Sequence, residues 1–147
     1  MSAEHFKRLE RMYLSANINR EIFNTTTIKI QSKQAEISLK VSDNLFHALG
    51  AMHGAVYFKL LDDAAYFAAN SVETSVFLLT SSFNINFLRP VKTGNLRAFG
   101  KLKYAGKELF VAEAALYDAN GKEVAFGTGN FAKSKISLTE QIGYQWI

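Results

Sequence analysis

Two adjacent carboxylates, Asp62 and Asp63, and a glycine eight positions before the first of them, Gly54, are the residues best placed for chemistry. They lie in residues 54–70, where Tyr57, Leu60, Leu61, Ala64 and Ala68 recur at helical spacing and Val56 and Phe67 widen the stripe. The opposite side carries Phe58, Ala65, Tyr66 and Ala69, and a helix that apolar nearly all round is buried. Lys59 stands four positions before Asp63, so a surface ion pair accounts for Asp63. Asp62 has no such partner in sequence. An acid on an apolar helix face is costly unless it is paired or functional. Burial also raises a carboxyl pKa, which suits a general base. The plainer alternative is a carboxylate bonded to a backbone amide or a tyrosine.

Gly54 opens that helix from the run His47-Ala48-Leu49-Gly50-Ala51-Met52-His53-Gly54-Ala55. The first amides of a helix lack intrahelical acceptors and sit at its positive dipole end. A glycine there lets an oxyanion approach the backbone, although it also simply eases a loop-to-helix turn. Eight residues at ~1.5 Å each separate Gly54 from Asp62 by ~12 Å along the axis. One carbonyl must lie within ~3 Å, or one water, of both an oxyanion donor and a base. If both act on the same group, they come from different chains, with two helices antiparallel across a two-fold axis. Thr80 begins a run of alternate polar residues (Thr80, Ser82, Asn84, Asn86), and its hydroxyl is suited to orienting a water.

These residues need a scaffold. Residues 3–16 place Phe6, Leu9, Tyr13 and Ala16 at helical spacing, which predicts an amphipathic helix. Residues 25–31 and 36–41 alternate as two strands of a hairpin, with a turn near Ser32-Lys33. Residues 42–52 are irregular. After the buried helix the period becomes two from Phe77 to Phe87, and Pro90 ends that strand. Three strands follow at 95–104, 108–118 and 122–131, joined by Ala105-Gly106-Lys107 and by Asn120-Gly121, a hairpin turn signal. Residues 134–147, with Trp146, carry no assignment. Short turns make antiparallel neighbours. The economical solution is α+β: one antiparallel sheet wrapped around one long central helix, in a single domain over residues 1–147.

Composition narrows the chemistry. Of 147 residues, 48% are apolar and 20% charged, which suffices for a core and argues against disorder. The absence of cysteine removes disulfides, thiol nucleophiles, cysteine-ligated zinc and iron–sulfur clusters. No G-x-S-x-G, G-x-x-x-x-G-K-[ST] or G-x-G-x-x-G occurs. The three histidines, His5, His47 and His53, have no recognised ligand spacing, so no metal is expected. No apolar run approaches a membrane span and the first residues carry no apolar signal core, so a soluble, cytoplasmic chain is expected. A net charge of +4 is too small to imply nucleic acid, though it favours anionic ligands.

The residues His53-Gly54-Ala55, Asp62 and Asn84-Ile85-Asn86-Phe87-Leu88-Arg89-Pro90-Val91-Lys92-Thr93-Gly94 resemble the PaaI-like thioesterases of the hotdog superfamily, over about residues 40–133. That family shows His-Gly-Gly, a helical Asp nine residues after the His, and a strand end of the form N-[IVF]-x-F-[LM]-x-P-x-x-x-G. The resemblance implies a hotdog fold, homodimers commonly pairing into tetramers, and hydrolysis of acyl-CoA thioesters at the dimer interface. Coenzyme A would be part of the substrate, with no further cofactor. Asp62 would activate water or attack the carbonyl, Gly54 would hold the thioester oxygen, and Thr80 would aid the water. His47 stands where many members carry Asn, and Ala55 replaces the second glycine. An acyl tunnel is expected beside Tyr57, Phe58, Leu61 and Tyr66. Arg89, Lys92, Arg97, Lys101, Lys103 and Lys107 are available to the phosphates of CoA. The rival expectations are a non-catalytic hotdog protein that binds acyl-CoA or a lipid-like ligand, and a hotdog hydratase or dehydratase.

Overall fold

The computed structural model describes residues 2–146. Two N-terminal helices, α1 (Ser2–Ser15) and α2 (Asn17–Glu21), precede a hairpin of β1 (Thr27–Gln31) and β2 (Gln34–Lys40). After a short 3₁₀ turn comes α3 (Gly54–Asn70), then β3 (Val76–Phe87), β4 (Asn95–Ala105), β5 (Leu109–Tyr117) and β6 (Glu123–Ser137). The six strands form one sheet in the order β1-β2-β4-β5-β6-β3, with every neighbouring pair antiparallel. The sheet curls around α3. This is the α+β arrangement expected from the sequence, with α2 and the last third of β6 added to it.

The buried stripe of α3 explains its central position. Leu60, Leu61, Ala64, Ala65 and Ala69 are essentially inaccessible and share one core with Ile37, Leu39, Leu96, Ala98, Ala112 and Leu116 from the sheet. The alanines bring the helix close, and Gly100 on β4 brings it closer still. A Cβ at Gly100 would lie 2.0 Å from the carbonyl oxygen of Ala64. Only a glycine lets the two backbones meet there.

The tail and the first helix are tied together by His5. Its Nε2 donates to the carbonyl of Asn70 at 2.8 Å, and its Nδ1 accepts from the Tyr144 hydroxyl at 2.7 Å. Both bonds suit the neutral ring, and burial holds its pKa below the ordinary histidine value. The hairpin turn at Asn120-Gly121 has Gly121 at φ +81°, as its sequence predicts.

The alternation expected along residues 77–87 does not hold as one phase. Leu78 is buried and Leu79 exposed, and the pairing of β3 with β6 shifts register between Val76 and Leu78 and again between Thr80 and Ser82. The second shift is a β-bulge at Ser81. It leaves Thr80 on the helix side, with Leu78 before it and Phe83 after it, and separates it from Ser82. Thr80 is therefore not the first member of the outward polar row.

Candidate active site

Asp62 sits midway along α3, partly covered. Its Oδ1 accepts a hydrogen bond from the Thr80 hydroxyl at 2.8 Å, and its Oδ2 accepts none from a described residue. Burial is the main influence on the carboxyl and lifts its pKa from 3.8 to about 6. The Thr80 bond and the Lys59 charge oppose that rise, and the Asp63 charge adds to it. Thr80 stands two residues after buried Leu78 and shares its face, which brings the threonine hydroxyl to the acid. The two lie at the rim of a cavity of about 640 Å³ between α1–α2, α3 and β3.

Asp63 forms the ion pair with Lys59 that its spacing predicts, half-buried rather than on the surface. Its Oδ2 lies 2.6 Å from Lys59 Nζ and accepts from the Tyr13 hydroxyl at 2.8 Å. Lys59 Nζ also donates to Asn19 Oδ1 at 2.7 Å and to the Tyr13 oxygen at 3.2 Å. The side chains of this pair are only 13% and 20% exposed, so the pair is half-buried and fastens both N-terminal helices to α3. Breaking it leaves a cation short of its acceptor. Asp63→Asn is expected to lower unfolding free energy by about 1–3 kcal/mol, measured by urea denaturation, while costing far less activity than any change at Asp62. No sequence signal linked Tyr13 or Asn19 to residues 59 and 63.

Gly54 is the first residue of α3. His53 is its N-cap, with extended backbone (φ −64°, ψ 143°) and Nδ1 accepting from the Ala55 amide at 2.9 Å. The Val56 amide donates to the His53 carbonyl at 3.0 Å. The Gly54 amide donates to no described residue. A second, more open cavity of about 350 Å³ adjoins it, lined by His47, Tyr57, Phe87 and Arg89 among others. His47 accepts from the Leu49 amide through Nδ1, and its ring centroid stands 6.4 Å from that of His53. The two cavities share no lining residue. Within one protomer the structure thus gathers His47, His53, Gly54, Ala55 and Arg89 at the helix start, and Asp62, Thr80 and Tyr66 half-way along it.

The four residues expected to flank an acyl tunnel do not share one cavity. Tyr66 borders the Asp62 cavity, its hydroxyl donating to the carbonyl of Leu78 at 2.9 Å. Phe58 is exposed and packs edge-on against Phe83, Leu61 is in the core, and Tyr57 bonds the carbonyl of Arg89 at the other cavity. Of the basic residues, Arg89 alone lines either cavity. Arg97 and Lys103 lie 3.9 Å from Glu36 and Glu113, respectively. Among the described residues no cluster of His, Asp and Glu is spaced to hold a metal, and no helix is long and apolar enough to cross a membrane.

A six-stranded antiparallel sheet curled around one long helix is the hotdog arrangement. The sequence model of the thioesterase superfamily matches residues 49–125, just over half of the chain. The chain belongs to the thioesterase superfamily. The PaaI protein of the Escherichia coli phenylacetic acid degradation operon superimposes with a TM-score of 0.83 at 22% identity, covering 94% of this chain and 99% of that one. A Streptococcus mutans protein solved bound to acetyl CoA gives a TM-score of 0.70 at 21% identity, covering 78% and 92%. In sequence, a Saccharolobus solfataricus protein named "Putative esterase" is 28% identical over 114 residues, 76% of each chain.

Proposed function

We propose that the protein hydrolyses acyl-CoA thioesters at a site shared by two copies of the chain, with Asp62 of one protomer as general base and the Gly54 amide of the other as oxyanion donor. The observation that carries this reading is the environment of Asp62. A carboxyl held near pH 6 by burial, bonded on one oxygen by Thr80 and free on the other, is a base poised for neutral pH. The two-chain site is supported by the separation of the two cavities along one rigid helix. It is supported as well by β3, a 12-residue edge strand with β6 on one side only and exposed Leu79 and Phe87, beside exposed Phe58. Edges of that length are templates for pairing with another chain.

In this reading Asp62 takes a proton from water as the water oxygen bonds to the thioester carbon. The carbonyl oxygen becomes an oxyanion against the Gly54 amide, at the positive end of α3. The C–S bond then breaks, the acyl group leaves as the carboxylic acid, and the proton on Asp62 goes to the departing CoA thiolate. Thr80 holds the Asp62 carboxylate in place. His47 supplies its Nε2–H beside the amide, His53 and Ala55 complete the helix start, and Arg89 offers charge to a CoA phosphate. A thioester is activated enough for this to suffice without a covalent nucleophile.

The test is thiol release from acetyl-, butanoyl- and octanoyl-CoA by the purified protein. Because the base must be ionised, kcat/KM is expected to rise with pH through an inflection near 6 and to level off above it. A profile flat from pH 5 to 7 would remove Asp62 from that role. Tight binding of acyl-CoA without any thiol release would instead make the chain a carrier.

A further inference from the structure

Lys59 has two acids within reach and is bonded to one of them. On a helix the side chains three and four positions onward are both neighbours, so Lys59 can turn to Asp62 or to Asp63. The N-terminal helices decide between them. Lys59 Nζ lies 2.6 Å from Asp63 Oδ2, which also accepts from the Tyr13 hydroxyl of α1. The same ammonium donates to Asn19 Oδ1 of α2 at 2.7 Å. It stands over the rings of Tyr13 and Phe23, 5.0 and 4.6 Å from their centroids. The cation is thus caged on the Asp63 side, and Asp62 takes its hydrogen bond from Thr80 instead.

Resting on the thioesterase reading above, we propose that Lys59 and Asp63 are positioning residues for the reaction: locked together under α1 and α2, they keep the cation off Asp62 and set the pH range in which Asp62 works as a base. Two features carry this. First, the pair shares the cavity of Asp62, so its charges face the acid across one space. The other titratable groups lining that cavity are Tyr13 of α1 and Tyr66 of α3, while β3, β6 and the tail bring no charge to it. Burial pushes the pKa of both tyrosines up, so they stay neutral. Second, the pair acts on Asp62 in opposite senses. Beyond burial, which raises the Asp62 pKa most, and the Thr80 bond, which opposes it, the Asp63 charge adds to the rise and the Lys59 charge subtracts from it. A released Lys59 would swing to Asp62 and neutralise the oxygen that must take a proton from water.

The experiment follows Asp62 against pH in wild type, Lys59→Met, Asp63→Asn and the double variant. It uses kcat/KM for butanoyl-CoA and, independently of turnover, NMR titration of the carboxyl carbons, with Asp62→Asn identifying the resonance. Lys59→Met is expected to raise the midpoint by about half to one pH unit, so that kcat/KM near pH 6 falls about two- to fivefold against its own plateau. Asp63→Asn is expected to lower the midpoint by a similar amount, raising kcat/KM near pH 5 about two- to fivefold against its plateau. The double variant, with neither charge, should return to within about 0.3 of the wild-type midpoint. A pair that merely holds the helices in place would lower plateaus and leave the midpoints where they are. Midpoints unmoved in the single variants, or moved in the same direction by both, overturn the assignment. Should one single variant fail to fold, the other and the double variant decide it. Absence of thiol release from every thioester overturns the functional reading instead, and the NMR midpoints separate that outcome from failure of the pair.

Discussion

Asp62→Asn is expected to lose ~10²-fold or more in kcat and, at the same time, to be more stable than the wild-type protein above pH 6. The two effects have one cause. The asparagine keeps an oxygen to accept from Thr80 but has no basic form, so water is no longer activated. The folded-state pKa of Asp62 is raised, from 3.8 to about 6. As pH rises through that window the unfolded chain gives up its proton first, so stability is lost between about pH 4 and 6 and stays lost above. Removing the charge restores it, by about 1–3 kcal/mol once partial exposure is discounted. Thermal melts at pH 4 and pH 8 check this: the variant should match wild type at the lower pH and melt several degrees higher at the upper. A variant that is inactive and also less stable at pH 8 would make Asp62 a structural residue.

Gly54→Pro is expected to cost ~10²–10³-fold in kcat, the usual loss on removing one oxyanion donor. Proline is the substitution to make because it deletes the amide hydrogen at a position where helices accept it, the first helical residue. His53 before it already has the extended backbone that a following proline requires. The added Cβ would meet the Phe87 ring at 3.3 Å, a contact the ring can absorb. Neither Gly54→Pro nor Asp62→Asn alone leaves a working site. Mixed and re-annealed in equal amounts, they should recover about a quarter of wild-type activity, since half the two-fold dimers are then hybrid and each hybrid has one intact site of two. No recovery, from subunits shown to exchange, would place base and donor in a single chain. An active monomer in sedimentation would do the same.

The architecture was legible because its signals are local. The apolar stripe of residues 54–70 became α3, with those bounds, and alternation and hairpin turns marked five of the strands to within a residue or two. What escaped was settled by tertiary contact. Helix α2 is five residues long, too short for a period. Residues 132–137 extend β6 alongside β3, which pairs with Ala132, Lys133 and Ser137. The register shift at Ser81 is invisible in a strand whose residues alternate well, yet it takes Thr80 out of the row of Ser82, Asn84 and Asn86. In the site, Asp62 stood out because an unexplained acid on an apolar face is costly. Asp63 and Lys59 matched a common surface pattern, and nothing along the chain showed that Tyr13 and Asn19 would enclose them. Ile18 and Ile136 are ordinary apolar residues until folding brings them to one cavity.

The contact at Gly100 bears on how such a protein can move. Ala64, whose carbonyl rests against that glycine, is two residues from Asp62, so the acid is clamped at a fixed height above the sheet. A helix resting on bare backbone has no slack to slide or roll. The N-terminal helices are held differently, by the Lys59 network, by the His5–Tyr144 bond and by burial of Leu9, Met12 and Tyr13 in the core.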